Sequence, residues 1–194
     1  MADHPVLYTV GHSTKPWDAF LELLQAHDIR QLADVRRHPG SRKYPHFNAE
    51  SLAIALPQAN IAYLPMLELG GRRKTRPDSP NGAWRNASFR GYADYMLTSA
   101  FADALAALEH TARQQPTAIM CSESVPWRCH RCLIADAMLA RGWEVLDIMS
   151  PTSAKPHHLP AWARVLGKQV TYPPPEGLFP ASSQPDRPPE AQSR

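Results

Sequence analysis

The sequence predicts a single three-layer α/β domain: a mainly parallel sheet of about five strands with helices on both faces. Three observations carry this. Short apolar runs of strand length alternate with segments of helical period, and turn residues separate them. The spacing between runs suits crossover helices, which parallel neighbours require. A chain of 194 residues with 43% hydrophobic content can bury one ordinary core and is too short for two.

The elements follow in order. Val6 to Val10 reads as a buried strand ending at Gly11-His12-Ser13, after which Ser13 or Thr14 is expected to cap a helix carrying Pro16 in its first turn. Phe20, Leu21 and Leu24 then recur at helical spacing, and Ile29 to Val35 forms a second strand. Asn48 is the expected N-cap of a helix through Leu56 that Pro57 stops, with Leu52, Ala55 and Leu56 on one face. Ile61 to Met66 is the third strand. About Gly91 to Gln114 is helical with a break near Thr98-Ser99, Thr117 to Cys121 is the fourth strand, a helix runs to about Arg141, and Trp143 to Ile148 is the fifth.

Pro151 to Lys168, with Trp162, Val165 and Leu166, is expected to form a short helix docking on the domain. The domain is placed at 1–168. Seven prolines in the 22 residues beyond Tyr172 leave little apolar surface to offset ordering, so 169–194 is expected to be a Pro-rich flexible tail. No internal repeat is visible. Taken together, the pattern is Rossmann-like.

No apolar run approaches the ~20 residues that span a bilayer. The N-terminus has no basic segment followed by an apolar core, so the expected location is cytoplasmic and no membrane partner is implied. The three cysteines fall within residues 121–132, which argues against a disulfide framework and for thiol chemistry, metal binding or plain burial. The charge is segregated. Residues 36–46 and 70–86 hold nine of the 21 Lys/Arg and one of the 18 Asp/Glu. Concentrated positive charge attracts phosphates, and Tyr44, Phe47 and Trp84 interleave with it as candidate stacking platforms.

In a parallel sheet the carboxyl ends of the strands lie along one edge, where helix N-termini offer unpaired N–H groups to an anion. That edge collects His12, Asp34, Arg36, Glu68, Cys121 and Glu123. Cys121, at a strand end before a helix, is the candidate nucleophile, with Glu123 beside it and His12 or His130 as acid/base partners. Ser13, Asp34, Arg36, Ser41, Arg72, Arg73, Lys74, Arg128 and Arg131 are the candidate substrate-binding residues. The competing readings are a buried core cysteine, an Asp34–Arg36 structural ion pair, and basic loops that only keep the protein soluble.

Several known sites do not fit. Trp127 occupies the arginine position of a Cys-x5-Arg phosphate loop. One Cys-x-x-Cys, Cys129 to Cys132, lacks the second half of a structural zinc site. Adjacent helical residues also diverge by ~100°, so His130 is not expected to share a centre with both flanking cysteines, and no metal or other cofactor is assigned. Walker, Gly-x-Gly-x-x-Gly and Gly-x-Ser-x-Gly motifs are missing from the chain.

These residues carry a resemblance. Thr9-Val-Gly-His-Ser13, Asp34-Val-Arg36 with Pro39 and Ser41, Leu69-Gly-Gly71, Tyr92-Ala-Asp-Tyr-Met96, and Cys121-x-Glu123 followed by Cys129-His-Arg131 resemble, in this order, the bacterial family catalogued as domain of unknown function 488. The resemblance spans roughly residues 6–150 and implies a single α/β domain with no settled activity. Cys132 lies outside the shared motif, and Asp147 stands where the resemblance implies a histidine. The expectation is an enzyme acting on a phosphate-bearing substrate, a nucleotide or nucleic acid, at a Cys/Glu/His/Arg site. The rivals are a nucleic-acid-binding module without catalysis and a metal-stabilised domain.

Overall fold

The computed structural model describes residues 4–175. Five strands, Val6–Gly11 (β1), Gln31–Asp34 (β2), Ala62–Pro65 (β3), Thr117–Cys121 (β4) and Glu144–Ser150 (β5), pair in parallel. A sixth, Ser153–Pro156 (β6), runs antiparallel along β5, giving the order β3-β2-β4-β1-β5-β6. The helices are Trp17–Ala26 (α1), Ala49–Gln58 (α2), Ala87–Tyr95 (α3), Ser99–Ala112 (α4) and Arg131–Leu139 (α5). Among the described residues no helix is long and apolar enough to cross a membrane.

The strand order explains the layers. The chain moves from β1 past β4 to β2 and on to β3, then returns to β4 and crosses β1 to β5. Right-handed crossovers therefore place the first two helices on one face and the last three on the other. Phe20, Leu24, Leu52 and Leu56 pack with Val10, Leu32 and Met120 on the first face. Tyr92, Leu105, Leu108 and Leu133 pack with Leu7, Ala33 and Ile119 on the second. β4 shows the pleat that serves both cores, with Ala118 and Met120 facing one way and Ile119 and Cys121 the other. Because β1 and β4 are neighbours whose helices leave to opposite faces, a crevice opens at their carboxyl ends.

Several local expectations change. Neither Ser13 nor Thr14 caps α1. Pro16 takes the N-cap position, where its carbonyl accepts the Phe20 N–H, and Ser13 instead adopts a left-handed φ of 50°. Asn48 does precede α2, but its side chain accepts the Ser41 N–H at 2.6 Å and so ties the basic loop to the helix. Pro57 lies inside the last turn of α2, and the helix continues to Gln58. The break near Thr98 is real, and Thr98 caps α4 by accepting the Phe101 N–H.

Pro151 to Lys168 does not form a helix. It supplies β6 and then Arg164–Leu166 (β7), which pairs with Gln169–Thr171 (β8) across Gly167-Lys168. Gly167 takes φ 60°, the positive value that a two-residue hairpin turn needs at its first position. The ordered domain therefore continues past 168. Tyr172 is fully buried against Trp84 and Trp162, its N–H donates to Asn81 Oδ1, and its hydroxyl donates to Asp136 at 2.6 Å. The remainder of the expected tail, 176–194, lies outside the described residues.

Candidate functional site

A cleft of about 570 Å³ occupies the switch point, with Cys121 and His130 in its wall and Arg36, Arg37 and Arg72 around it. The backbone of the site is set by close packing. The His12 and Ser13 N–H groups donate to the carbonyls of Cys121 and Ser122, at 3.1 and 3.0 Å. Gly11 has no room for a side chain, since an added Cβ would overlap the Glu123 carbonyl.

Asp34 and Arg36 form the first cluster. Arg36 Nε and Nη2 bind the two Asp34 oxygens at 2.8 and 2.6 Å, and the Arg36 N–H and the Tyr63 hydroxyl also donate to that carboxylate. Asp34 is fully buried and its acceptor capacity is taken, so it positions Arg36 and does not reach the cleft. Arg36 donates further to Phe47 O and, through Nη1, to His12 Nε2 at 3.2 Å. Among the described residues one of its five N–H groups is left for a ligand. Burial opposes the Arg36 charge, and the Asp34 hydrogen bonds together with its negative charge more than offset it, raising its pKa.

His12 has its tautomer imposed. Arg36 can only donate, so Nε2 is the acceptor, and Nδ1–H then donates to Ser13 O at 2.9 Å. Burial, reinforced by the Arg36 charge, lowers its pKa to about 4. The ring stacks on Phe47 with centroids 4.0 Å apart. The imidazole therefore has both nitrogens engaged, Nε2 by Arg36 and Nδ1–H by Ser13 O.

The thiol cluster is the second. Cys129 is extended (φ −137°, ψ 146°), and α5 begins only at Arg131. The ~100° divergence of helical neighbours therefore does not apply to Cys129 and His130. His130 Nδ1 lies 4.0 Å from Cys121 Sγ and 3.7 Å from Cys129 Sγ, while Nε2–H donates to Val35 O at 2.9 Å. The Cys129 thiol donating to Cys121, opposed by burial and helped by His130, holds Cys121 well below the usual thiol range. Cys129 is pushed up in turn by that same hydrogen bond and by burial. Burial, with Asp136 and Asp147 nearby, raises Cys132 to about 12 and leaves it apart from the pair.

The arginines divide. Arg131 is 1% exposed, its Nη2 donating to Glu123 O at 2.8 Å and its Nη1 to Thr9 Oγ1 at 3.3 Å. It fastens the 121–128 loop to β1 and does not line the cleft. Arg73 is also structural, bonded to Gly70 O and Glu68 O and lying 3.6 Å over the Tyr95 ring. Lys74 lines a separate shallow depression, and Arg128 is exposed outside the cleft. Ser13, Ser41 and Glu123 do line the cleft, Glu123 with its side chain exposed.

Of the expected stacking platforms, Phe47 is buried against His12 and Trp84 packs within Phe89, Trp162 and Tyr172. Only Tyr44 lines the cleft. Sequence reasoning missed Arg37 and Gly71 as individual wall residues, although the basic loop and the Leu69-Gly-Gly71 motif contained them. It also missed His157, which no local pattern marked.

A family model described as Domain of unknown function DUF488 matches residues 16–138, more than half of the chain. The chain belongs to the DUF488 family. No curated protein and no solved structure matches it. The DUF488 match runs from just before α1 into α5, and so takes in Arg36, the thiol cluster and the cleft wall apart from the turn at His12, Ser13 and Thr14.

Proposed function

We propose that this DUF488 protein is an enzyme acting on a phosphate-bearing small molecule of nucleotide size, with its reacting centre where Cys121, Cys129 and His130 converge. One observation carries the reading: the guanidinium residues Arg36, Arg37 and Arg72 line the same switch-point cleft as Cys121 and His130. A volume of about 570 Å³ lies in the range of small-ligand sites. Guanidinium forks match phosphate oxygens in pairs. Extended nucleic acid is favoured less, because Phe47 and Trp84 are committed to internal packing.

The test is a thermal-shift panel of nucleoside phosphates and sugar phosphates, followed by calorimetry on any compound that raises the melting temperature. The expected result is binding that Arg72→Glu abolishes and that Cys121→Ser leaves intact while removing turnover. Silence across the panel, or binding indifferent to Arg72→Glu, overturns the reading. Salt-steep binding of an oligonucleotide alone would move it to the nucleic-acid module.

A further inference from the structure

We propose that Cys121 Sγ, Cys129 Sγ and His130 Nδ1 form a three-ligand site for a zinc-class divalent cation, with its fourth position open to the cleft. The inference stands on the geometry of this cluster and not on the substrate reading, which has its own test above.

Three observations support it. First, the three ligand atoms all lie within 4.8 Å of one another, and the two sulfur-to-nitrogen separations are 4.0 and 3.7 Å. Sulfur and nitrogen ligands around a tetrahedral zinc ion sit about 3.5 to 3.8 Å apart, so the two sulfur-to-nitrogen separations need shifts of only a few tenths of an ångström, and the two sulfurs, within 4.8 Å of each other, close by up to about 1 Å. Second, the imidazole is already oriented as a metal-binding histidine is. Its Nε2–H is fixed on Val35 O at 2.9 Å, which leaves the Nδ1 lone pair facing the two sulfurs. Third, there is space for the ion. An added Cβ on Gly71 would sit 3.1 Å from His130 Nδ1, so the glycine keeps that side of the ring clear. Cys121, His130 and Gly71 all line the cleft, and the open coordination position therefore faces the arginines.

The chemistry is consistent with a borderline-soft cation. Two sulfurs and one imidazole select zinc over magnesium or calcium, which prefer oxygen. On binding, whatever proton the two sulfurs still hold goes to solvent and a lone pair of each sulfur donates to the ion, with no change of oxidation state. Cys121 then serves as a ligand, and an anionic oxygen of the substrate can enter the fourth position. Cys132 takes no part, since it lies outside this cluster.

The experiment uses the full chain, purified under reducing conditions, stripped with a chelator, reloaded with zinc or cobalt and desalted. One zinc per chain is expected, and cobalt should give the intense visible bands of four-coordinate thiolate ligation. Cys129→Ser and His130→Ala should lose stoichiometric loading, and Cys132→Ala should keep it. Gly71→Ala, which crowds the lone pair, should weaken loading about tenfold or more. Residue-resolved alkylation of the wild type guards against variants that misfold: zinc should protect Cys121 and Cys129. Stripped wild type that takes up no zinc, loading that survives His130→Ala, or alkylation of the pair unchanged by zinc would overturn the site. None of these readouts involves the phosphate ligand, so a failure here leaves the Arg72→Glu test standing.

Discussion

Two shielded histidines of this protein, His12 and His157, are shifted in opposite directions, His12 toward the neutral imidazole and His157 toward the cation. His12 is flanked by the Arg36 guanidinium, and burial together with that cation takes its pKa down to about 4. His157 sits between two carboxylates, Asp136 at 2.9 Å and Asp147 at 3.1 Å. Burial pulls it down as well, but the hydrogen bonds to those carboxylates outweigh the loss and raise it to about 9. Both side chains are largely shielded from water, so burial alone does not set the charge. The partner within hydrogen-bond distance does.

The two clusters also do different work. The His12 cluster borders the cleft and aims one cation at it. The His157 cluster ties the C-terminal segment to α5 and β1: Tyr172 donates to Asp136, and Thr9 donates to Asp147 while accepting from Arg131. Through Arg131 it reaches the loop that carries Glu123, so the C-terminal segment and the thiol loop hang on one polar network. Asp147, at the position where the family resemblance implied a histidine, is therefore occupied by the imidazole of His157 arriving from beyond β6.

The largest expected effect comes from unpairing the first cluster. Asp34→Ala leaves the Arg36 guanidinium buried without its carboxylate and should cost on the order of 3–5 kcal/mol in denaturant unfolding. A loss below about 1 kcal/mol, the size of an exposed pair, would show that Arg36 swings to solvent and that the cluster is not a fixed wall of the cleft.

The pH dependence separates the clusters next. His157 has a folded pKa of about 9 against 6.5 unfolded, so its contribution is full below pH 6.5 and disappears as pH rises through about 9. His12 has a folded pKa of about 4, so the unfolded chain takes up its proton first and stability falls as pH drops from 6.5 toward about 4. Each limb should amount to roughly 3 kcal/mol. Unfolding free energies measured across pH should show His157→Gln flattening the alkaline limb and His12→Asn the acid limb. If neither variant changes its own slope, the two histidines do not carry these charges.

A smaller effect is expected at the edge of the second cluster. Tyr172→Phe removes the hydroxyl donated to Asp136 while keeping the ring in its aromatic packing, and should cost about 1.5–3 kcal/mol. Smallest of all, Arg76→Ala breaks an exposed pair with Asp78 and should leave the melting temperature unchanged.

The comparison also separates what was legible in the chain from what was not. Apolar runs and helical periods exposed β1 to β5 and the helices between them, because burial on a sheet or a helix face imposes a local repeat on the sequence. The strand-end rule gathered His12, Arg36, Cys121 and Glu123, which line one cleft, because parallel strands must point their carboxyl ends the same way. The 151–172 segment differs from its expected helix because its strands are largely exposed, so burial imposes no apolar run or repeat on them.

What each candidate does with its side chain lay beyond sequence. Arg131 and Arg36 are the same residue type at two strand-end motifs, yet one is sealed under the loop and the other walls the cleft. His157 is pushed toward the cation only by meeting Asp136 and Asp147, 21 and 10 residues away along the chain. The sequence by itself determined the layered sheet, the edge that collects chemistry and the family. The tertiary structure alone decided which polar groups satisfy one another and which remain open to a ligand. Hydrogen bonding and charge pairing act over a few ångströms between residues that only the fold brings together, and they leave no periodic trace in the chain.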